Sequence, residues 1–140
     1  MSQEIQLIYL SDLVPGQEKD LPAILETSVR RNGEDGITGM LLYAGGNIMQ
    51  VLEGEEMAVR RTYERIGHDP RHRNVMLLSD ETITAREFPD WRMGYKHLSA
   101  DVVQSVPRFA PFFHVGFKSE AIQAQPGAAK EMLLFFAAKG

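Results

Sequence analysis

Cysteine is absent from this chain of 140 residues. Its absence excludes disulfide bonds, thiolate nucleophiles and metal sites built on cysteine ligands. The chain also lacks an apolar run of about 18 residues, the length that crosses a membrane. The start, "MSQEIQLIYL", has neither the basic region nor the long apolar segment of a signal peptide. We therefore expect a cytoplasmic protein that does not insert into membranes.

Charge of one sign is not in large excess either. The chain carries 15 basic and 19 acidic residues, a net charge of −4, and so offers no electrostatic footprint for nucleic acid. Hydrophobic residues make up 44% and charged residues 24%, which is ordinary for a globular protein. A chain of this length suits one compact domain with a real core.

The first half of the chain predicts a strand, a helix and a hairpin. "EIQLIYLSD" (4–12) has apolar residues on both faces, which is typical of a central strand covered on both sides. Asp20 can cap a helix that begins at Leu21, and Gly33 suits its C-terminal end. "GITGMLLYAGGNIMQVLEG" (36–54) has two apolar runs around a glycine pair, the pattern of a hairpin.

The second half predicts a helix followed by two more strands. "EEMAVRRTYERIGHD" (55–69) has acids in its first turn, where the helix dipole favours them. Strands are predicted over 74–81 and 90–98. The order β-α-β-β-α-β favours a ferredoxin-like α+β sandwich, here with a mixed five-stranded sheet. Right-handed crossovers then place both helices on one sheet face, with the first and third strands in the middle.

Residues 99–140 predict further helices, over about 99–106 and 127–139, broken by prolines. Their phenylalanines supply much apolar area, so we expect these helices to cover the sheet face opposite the first two. An apolar surface left over for self-association is the alternative. The chain is thus divided into a domain over 1–98 and a helical extension over 99–140.

A glutamine stands inside the apolar third strand. In "NIMQVLEGEE" (47–56), Gln50 shares a strand face with Ile48 and Leu52. A buried amide without partners costs about 1–3 kcal/mol, so Gln50 needs hydrogen bonds. By itself it could be satisfied by backbone or water. If it faces the helices together with Tyr9 of the first strand, the two side chains lie within reach of each other.

Five motifs with matching order and spacing resemble one known family. The chain is similar to the BLUF family, blue-light sensors that use flavin adenine dinucleotide, over residues 4 to about 97. The motifs that carry the resemblance are "LIYLSD", "ILETSVRRNGEDGITGMLLY", "IMQVLEGEEMAV", "YERIGHDPRHRNV" and "REFPDWRMGY".

The resemblance implies a non-covalent FAD held between the two helices. Gln50 would hydrogen-bond the N5/O4 edge of the flavin ring, and Tyr9 would donate to Gln50. The cofactor-binding residues that follow from the family pattern are Tyr9, Ile24, Ser28, Arg31, Asn32, Gln50, Leu52, Arg65, Ile66, Asp69, Arg71 and His72.

Each part of the cofactor has its own expected partners. Ile24 and Ile66 would sandwich the isoalloxazine, and Asn32 would bond its N3/O4 edge. Arg31 departs from the family pattern, because several relatives carry asparagine or histidine there, although its longer side chain could still reach the flavin O2 region. The ribityl and phosphate portion would lie near Arg65, Asp69, Arg71 and His72, where basic side chains suit phosphate.

The implied function is a photoreceptor without enzyme activity. Light would rearrange the Tyr9–Gln50–flavin hydrogen bonds, and Met93 and Trp91 on the last strand would carry the change to the C-terminal helices. Taken alone, Met93 and Trp91 could equally be core residues. The output would be a contact in a homo-oligomer, a dimer or larger, or with a separate effector protein of unknown identity. Nucleic acid and membranes are not expected partners.

Two other functions stay open. A small ferredoxin-like hydrolase of the acylphosphatase type would place an arginine and an asparagine around phosphate, but it leaves Tyr9 and Gln50 without a role. A flavin-free binding module would have kept only the fold. A flavin spectrum of the purified protein separates the photoreceptor from both.

Overall fold

The structure is a computed structural model that describes residues 3–14, 16, 18–89, 94–113, 117 and 119–139. Two short 3-10 turns lie at Glu18–Asp20 and Pro107–Phe112 of the described chain. Its strands and α-helices, in chain order, are β1 (Glu4–Leu13), α1 (Leu21–Asp35), β2 (Thr38–Ala44), β3 (Asn47–Glu55), α2 (Glu56–Gly67), β4 (His72–Ile83), β5 (Gly94–His97), α3 (Ala100–Gln104), α4 (Ser119–Ala124) and α5 (Pro126–Lys139).

The strands form one mixed sheet in the order β4-β1-β3-β2-β5. β1 runs antiparallel to both β3 and β4, and β2 is antiparallel to β3 but parallel to β5. Gly45 and Gly46, both with positive φ, make the two-residue turn between β2 and β3. The sheet confirms the predicted ferredoxin-like α+β fold, with β1 and β3 side by side in its middle.

Alternate residues of the central strands enter two separate cores. On one face, Ile5 and Leu7 of β1 pack in a cluster with Ile24 of α1 and Val59 of α2. On the other face, β1 and β3 contribute to a cluster with Met132, Leu133 and Phe136 of α5. The C-terminal helices therefore cover the face opposite α1 and α2, as predicted. The division of the chain at residue 98 stays a prediction.

Helix α1 begins at Leu21 as predicted, although the Asp20 side chain makes no capping hydrogen bond. Its end differs from the prediction. The helix continues through Gly33 to Asp35, and Gly36 ends it in the left-handed conformation, with φ 70°. The prediction of Gly33 as the cap was wrong because the second glycine of "NGEDG" supplies the required positive φ one turn later.

Two irregularities interrupt the register of β1 and β4, one after Ile8 and one after Leu10. Each leaves an extra residue on β4, as a β-bulge does. Asn74, within the second bulge, has φ 55°. Beyond it, the first residue of β4, His72, pairs with Leu13 at the end of β1. The bulge thus sets where His72 lies relative to the sheet.

A buried carboxylate fastens the segment after β4 to the middle of the sheet. Glu53 of β3 has 0% exposure. It accepts hydrogen bonds from Gln6 Nε2 at 2.8 Å and from the backbone N–H groups of Glu87 and Phe88 at 3.0 and 2.7 Å. Glu87 in turn makes an ion pair with Lys130 of α5. The other amide atom of Gln6, Oε1, is buried without a hydrogen-bond partner.

Among the described residues, no helix has the length and apolar character needed to cross a membrane.

Candidate functional site

A cavity of about 570 Å³ lies between α1, α2 and the central strands. β1 and β3 provide its floor, and the two helices provide its walls. The structure brings all the predicted cofactor-binding residues together, because each of them lines this cavity: Tyr9, Ile24, Ser28, Arg31, Asn32, Gln50, Leu52, Arg65, Ile66, Asp69, Arg71 and His72.

Tyr9 and Gln50 form a hydrogen-bonded pair on the floor. They lie directly opposite each other in the β1–β3 register, and their exposed fractions are 0% and 3%. The phenol of Tyr9 donates to Oε1 of Gln50. The strand pairing therefore places the two side chains next to each other, and the amide oxygen of Gln50 faces the phenol of Tyr9.

Burial raises the pKa of Tyr9 far above its usual value, and the neighbouring Tyr63 and Asp69 raise it further. The ring of Tyr63 stands edge-on to that of Tyr9, with centroids 5.5 Å apart. Because its phenol stays protonated at neutral pH, Tyr9 is a hydrogen-bond donor and Gln50 Oε1 is its acceptor.

The walls of the cavity are apolar, and its inner polar groups are amides. Ile24 of α1 and Ile66 of α2 come from opposite sides, while Leu52 adds apolar surface to the floor. Asn32 is 2% exposed and, like Gln50, presents a buried amide. Apolar faces with a few placed polar groups suit a planar heteroaromatic ring with a polar edge. These residues fit a flavin.

Three arginines line the cavity, from α1, from α2 and from the segment after α2. Arg71 donates to both oxygens of Asp69, from Nε at 3.0 Å and from a terminal nitrogen at 2.8 Å. This guanidinium holds the pKa of Asp69 below its usual range. Arg65 lies 3.9 Å from Asp35 of α1, and Arg31 is exposed at the rim. Such a set can hold an anionic group, with Arg71 already oriented by its carboxylate.

His72 follows Arg71 in the sequence and also lines the cavity, with an exposed fraction of 9%. Its Nδ1 is 3.0 Å from Oγ of Ser11. Burial lowers the pKa of His72, with Asp69 acting in the opposite direction and Arg71 in the same one. The imidazole is therefore neutral at physiological pH and carries a proton on one ring nitrogen alone.

Sequence reasoning missed several residues of the cavity lining. Leu41 pairs with Gln50 across β2 and β3, so the strand period could have placed it on the same face. Thr62 precedes Ile66 by one helical turn and could have been found in the same way. The residues missed are Thr27, Leu41, Thr62, His68 and Pro70.

Two predicted photochemical residues, Trp91 and Met93, lie outside the described residues. Their predicted approach to Gln50 stays a prediction.

Comparisons with known proteins agree on one family. The family profile described as "BLUF: Sensors of blue-light using FAD" matches residues 5–94. The photoactivated adenylate cyclase subunit beta of Euglena gracilis is 39% identical over 89 residues, which are 62% of this chain and 10% of that protein. The blue light- and temperature-regulated antirepressor BluF of Escherichia coli (strain K12) is 36% identical over 105 residues, 71% of this chain and 26% of that protein.

The chain therefore spans from about a tenth to a quarter of the length of these two relatives. The similarity to a solved structure is more extensive. The dark-state structure of BlrB, a BLUF protein, superposes with a TM-score of 0.81 at 30% identity, covering 100% of this chain and 99% of that one. Since the profile covers well over half of the chain and the fold agrees throughout, this protein belongs to the BLUF family of blue-light sensors.

Proposed function

We propose that this chain is a blue-light photoreceptor that binds FAD non-covalently in the cavity between α1 and α2. The observation that carries the proposal is the buried hydrogen bond from Tyr9 to Gln50 on the cavity floor. Membership of a family of flavin-using sensors supports a flavin, and the choice of FAD over FMN follows the description of that family.

Binding would divide the cofactor between the two ends of the cavity. Ile24 and Ile66 would pack on the two faces of the ring, and Asn32 and Gln50 would bond its polar edge. The ribityl and phosphate portion would lie near Arg65, Asp69, Arg71 and His72, where basic side chains suit phosphate. Because cysteine is absent, no thiol can attach the cofactor, and heat denaturation is expected to release free flavin into the supernatant.

Bound flavin would supply absorption of blue light and an electron acceptor in its excited state. Tyr9 would be the electron donor, because it is the buried phenol on the cavity floor, and its hydrogen bond to Gln50 gives its proton an acceptor. Oxidation of the phenol releases an electron and a proton, and Gln50 is the group hydrogen-bonded to that proton. Both particles return to Tyr9, so Tyr9 ends unchanged. The lasting change is in Gln50, whose amide is left rotated or tautomerised and presents different donors and acceptors.

We also propose that this chain senses light and has no enzyme activity. An acylphosphatase-type hydrolase would need an arginine and an asparagine around phosphate, and the asparagine that lines this cavity, Asn32, is only 2% exposed. Neither that hydrolase nor a flavin-free module gives the Tyr9–Gln50 pair a role. The net charge of −4 favours output through protein contacts, without nucleic acid or membrane.

The experiment compares three variants by absorption spectroscopy in the dark and after blue light. The wild type should be yellow and show a small red shift on illumination. Tyr9→Phe and Gln50→Ala should bind flavin without shifting. Tyr63→Phe is the matched control, because this neighbouring phenol is not the donor to Gln50, and it should shift normally. A normal shift in Tyr9→Phe or Gln50→Ala would contradict the mechanism.

The proposed output route runs from Gln50 through Met93 and Trp91 to residues 99–140, and then to a homo-oligomer or a separate effector. Light can shift an equilibrium only through contacts that differ between the two states, and the bonds of Gln50 supply that difference. Hydrogen exchange in dark and light should change around Tyr9 and Gln50 and also beyond residue 90. A change restricted to the first region would exclude this route.

A further inference from the structure

Besides the phenol of Tyr9, β1 has a second hydroxyl group on the cavity side of the sheet, that of Ser11. Ser11 follows Tyr9 by two residues and so lies on the same strand face. It is 2% exposed, and its hydroxyl faces Nδ1 of His72 at 3.0 Å. Ser11 and His72 are 61 positions apart in the chain, and the bulged pairing of β1 with β4 brings them together.

The contact fixes which ring nitrogen of His72 is left for the cavity. A neutral imidazole has one N–H donor and one acceptor nitrogen, and a hydrogen bond at one nitrogen decides the tautomer. The His72 ring lines the cavity, and with Nδ1 turned to Ser11 the other nitrogen is Nε2. If the hydroxyl of Ser11 donates to Nδ1, Nε2 carries the proton and is a donor. If it accepts instead, Nε2 presents a lone pair.

The charge of the site distinguishes these two arrangements. His72 lines the cavity close to Arg71, whose positive charge acts on its imidazole and suits an anion. A lone pair on Nε2 would repel phosphate oxygens, whereas an N–H there would bond one of them. Arg71 keeps its ion pair with Asp69, and an N–H on His72 would add a neutral donor beside it.

We propose that Ser11 donates its hydroxyl proton to Nδ1 of His72 and thereby holds Nε2 as an N–H donor to the phosphate of a flavin nucleotide. This inference rests on the proposed flavin site. Ser11 acts through His72 and is a positioning residue. It would favour flavins that carry a phosphate, FMN and FAD, over riboflavin, which has none.

The test titrates apoprotein with riboflavin, FMN and FAD and follows the quenching of flavin fluorescence. Ser11→Ala should weaken FMN and FAD binding roughly tenfold, the range for one hydrogen bond to a charged group. Riboflavin binding should be unchanged. Ser11→Thr keeps the hydroxyl and should restore affinity. In a His72→Gln background, where no tautomer has to be set, Ser11→Ala should cause no further loss.

A second measurement does not depend on ligand. Nitrogen-15 NMR of the imidazole in apoprotein should show a proton on Nε2 in the wild type and a mixture of tautomers in Ser11→Ala. Equal weakening for all three flavins would make Ser11 merely structural and overturn the inference. So would unchanged FMN binding or a wild-type proton on Nδ1. Wild-type protein that binds none of the three flavins would instead overturn the proposed function.

Discussion

Replacing Glu53 should separate the role of its hydrogen bonds from the role of its charge. The carboxylate is fully buried and accepts three hydrogen bonds, from Gln6 and from the backbone N–H groups of Glu87 and Phe88. Glu53→Ala leaves these donors without an acceptor. A buried donor without a partner costs about 1–3 kcal/mol, and the donor of Glu87 is only partly buried.

We therefore expect Glu53→Ala to lower the free energy of unfolding by about 3–6 kcal/mol, a large part of the roughly 5–15 kcal/mol of a typical domain. Glu53→Gln should lose only about 1–2 kcal/mol. Its Oε1 can keep the bond from Phe88, and its new NH2 group can donate to Oε1 of Gln6 if that amide rotates. The rotation exchanges the two amide atoms of Gln6, so Nε2 then takes the buried place in which Oε1 now has no partner, and one buried polar atom of Gln6 stays unpaired as in the native protein.

The assay is urea unfolding followed by far-ultraviolet circular dichroism, with all variants at the same flavin concentration because a bound ligand adds stability. Glu81→Gln, an exposed position on β4, is the control and should stay within about 0.5 kcal/mol of the wild type. The flavin spectrum should not change in Glu53→Gln. A cost below about 1 kcal/mol for Glu53→Ala, or equal losses for Glu53→Gln and Glu53→Ala, would contradict this role of the Glu53 hydrogen bonds.

Three further predictions concern the cavity. Ile66→Ala removes apolar atoms from a half-buried wall and should weaken flavin binding about tenfold, measured by fluorescence titration; unchanged affinity would place the ring elsewhere. Arg71 lowers the pKa of Asp69 in the folded protein. The resulting contribution of Asp69 to the free energy of unfolding is complete above the unfolded-state pKa of about 4 and is lost as pH falls through the folded-state pKa. Asp69→Asn should therefore flatten the acid limb of unfolding free energy against pH, and an unaltered limb would contradict this. Because burial lowers the pKa of His72, the unfolded chain binds its proton more readily, so stability should decline as pH falls below about 6.5; His72→Gln should remove that decline, and a slope that persists would contradict it.

The central pair of the site could be predicted because it depends on regular geometry. The strand period places Tyr9 and Gln50 on definite faces, and the order of strands and helices makes β1 and β3 neighbours. The periodicity did not predict the flavin, since an apolar cavity with buried amides suits more than one planar ring. The prediction of a flavin came from the resemblance of the five motifs to one family.

Irregular geometry was the part that sequence could not supply. The end of α1 depends on which of two glycines takes a positive φ, and Gly36, one turn after Gly33, was not the expected one. The contact of Ser11 with His72 depends on bulges in β4, and no residue pattern in that strand specifies a register shift. The role of Glu53 was missed because two of its three donors are backbone N–H groups of Glu87 and Phe88, in a segment without regular structure.

The bulges of β4 also bear on how this chain can associate with itself. β4 is a twelve-residue strand at the edge of the sheet, and a long edge strand is a template on which another chain can add. Two interruptions break the even spacing of its backbone groups, so an incoming strand could pair over only a short stretch before losing register. Polymerisation by continuous sheet extension is thus impeded at β4, although Leu77 leaves apolar surface there with 44% exposure. A homo-oligomer of this chain is therefore expected to join through side-chain surfaces rather than by merging two sheets along this edge.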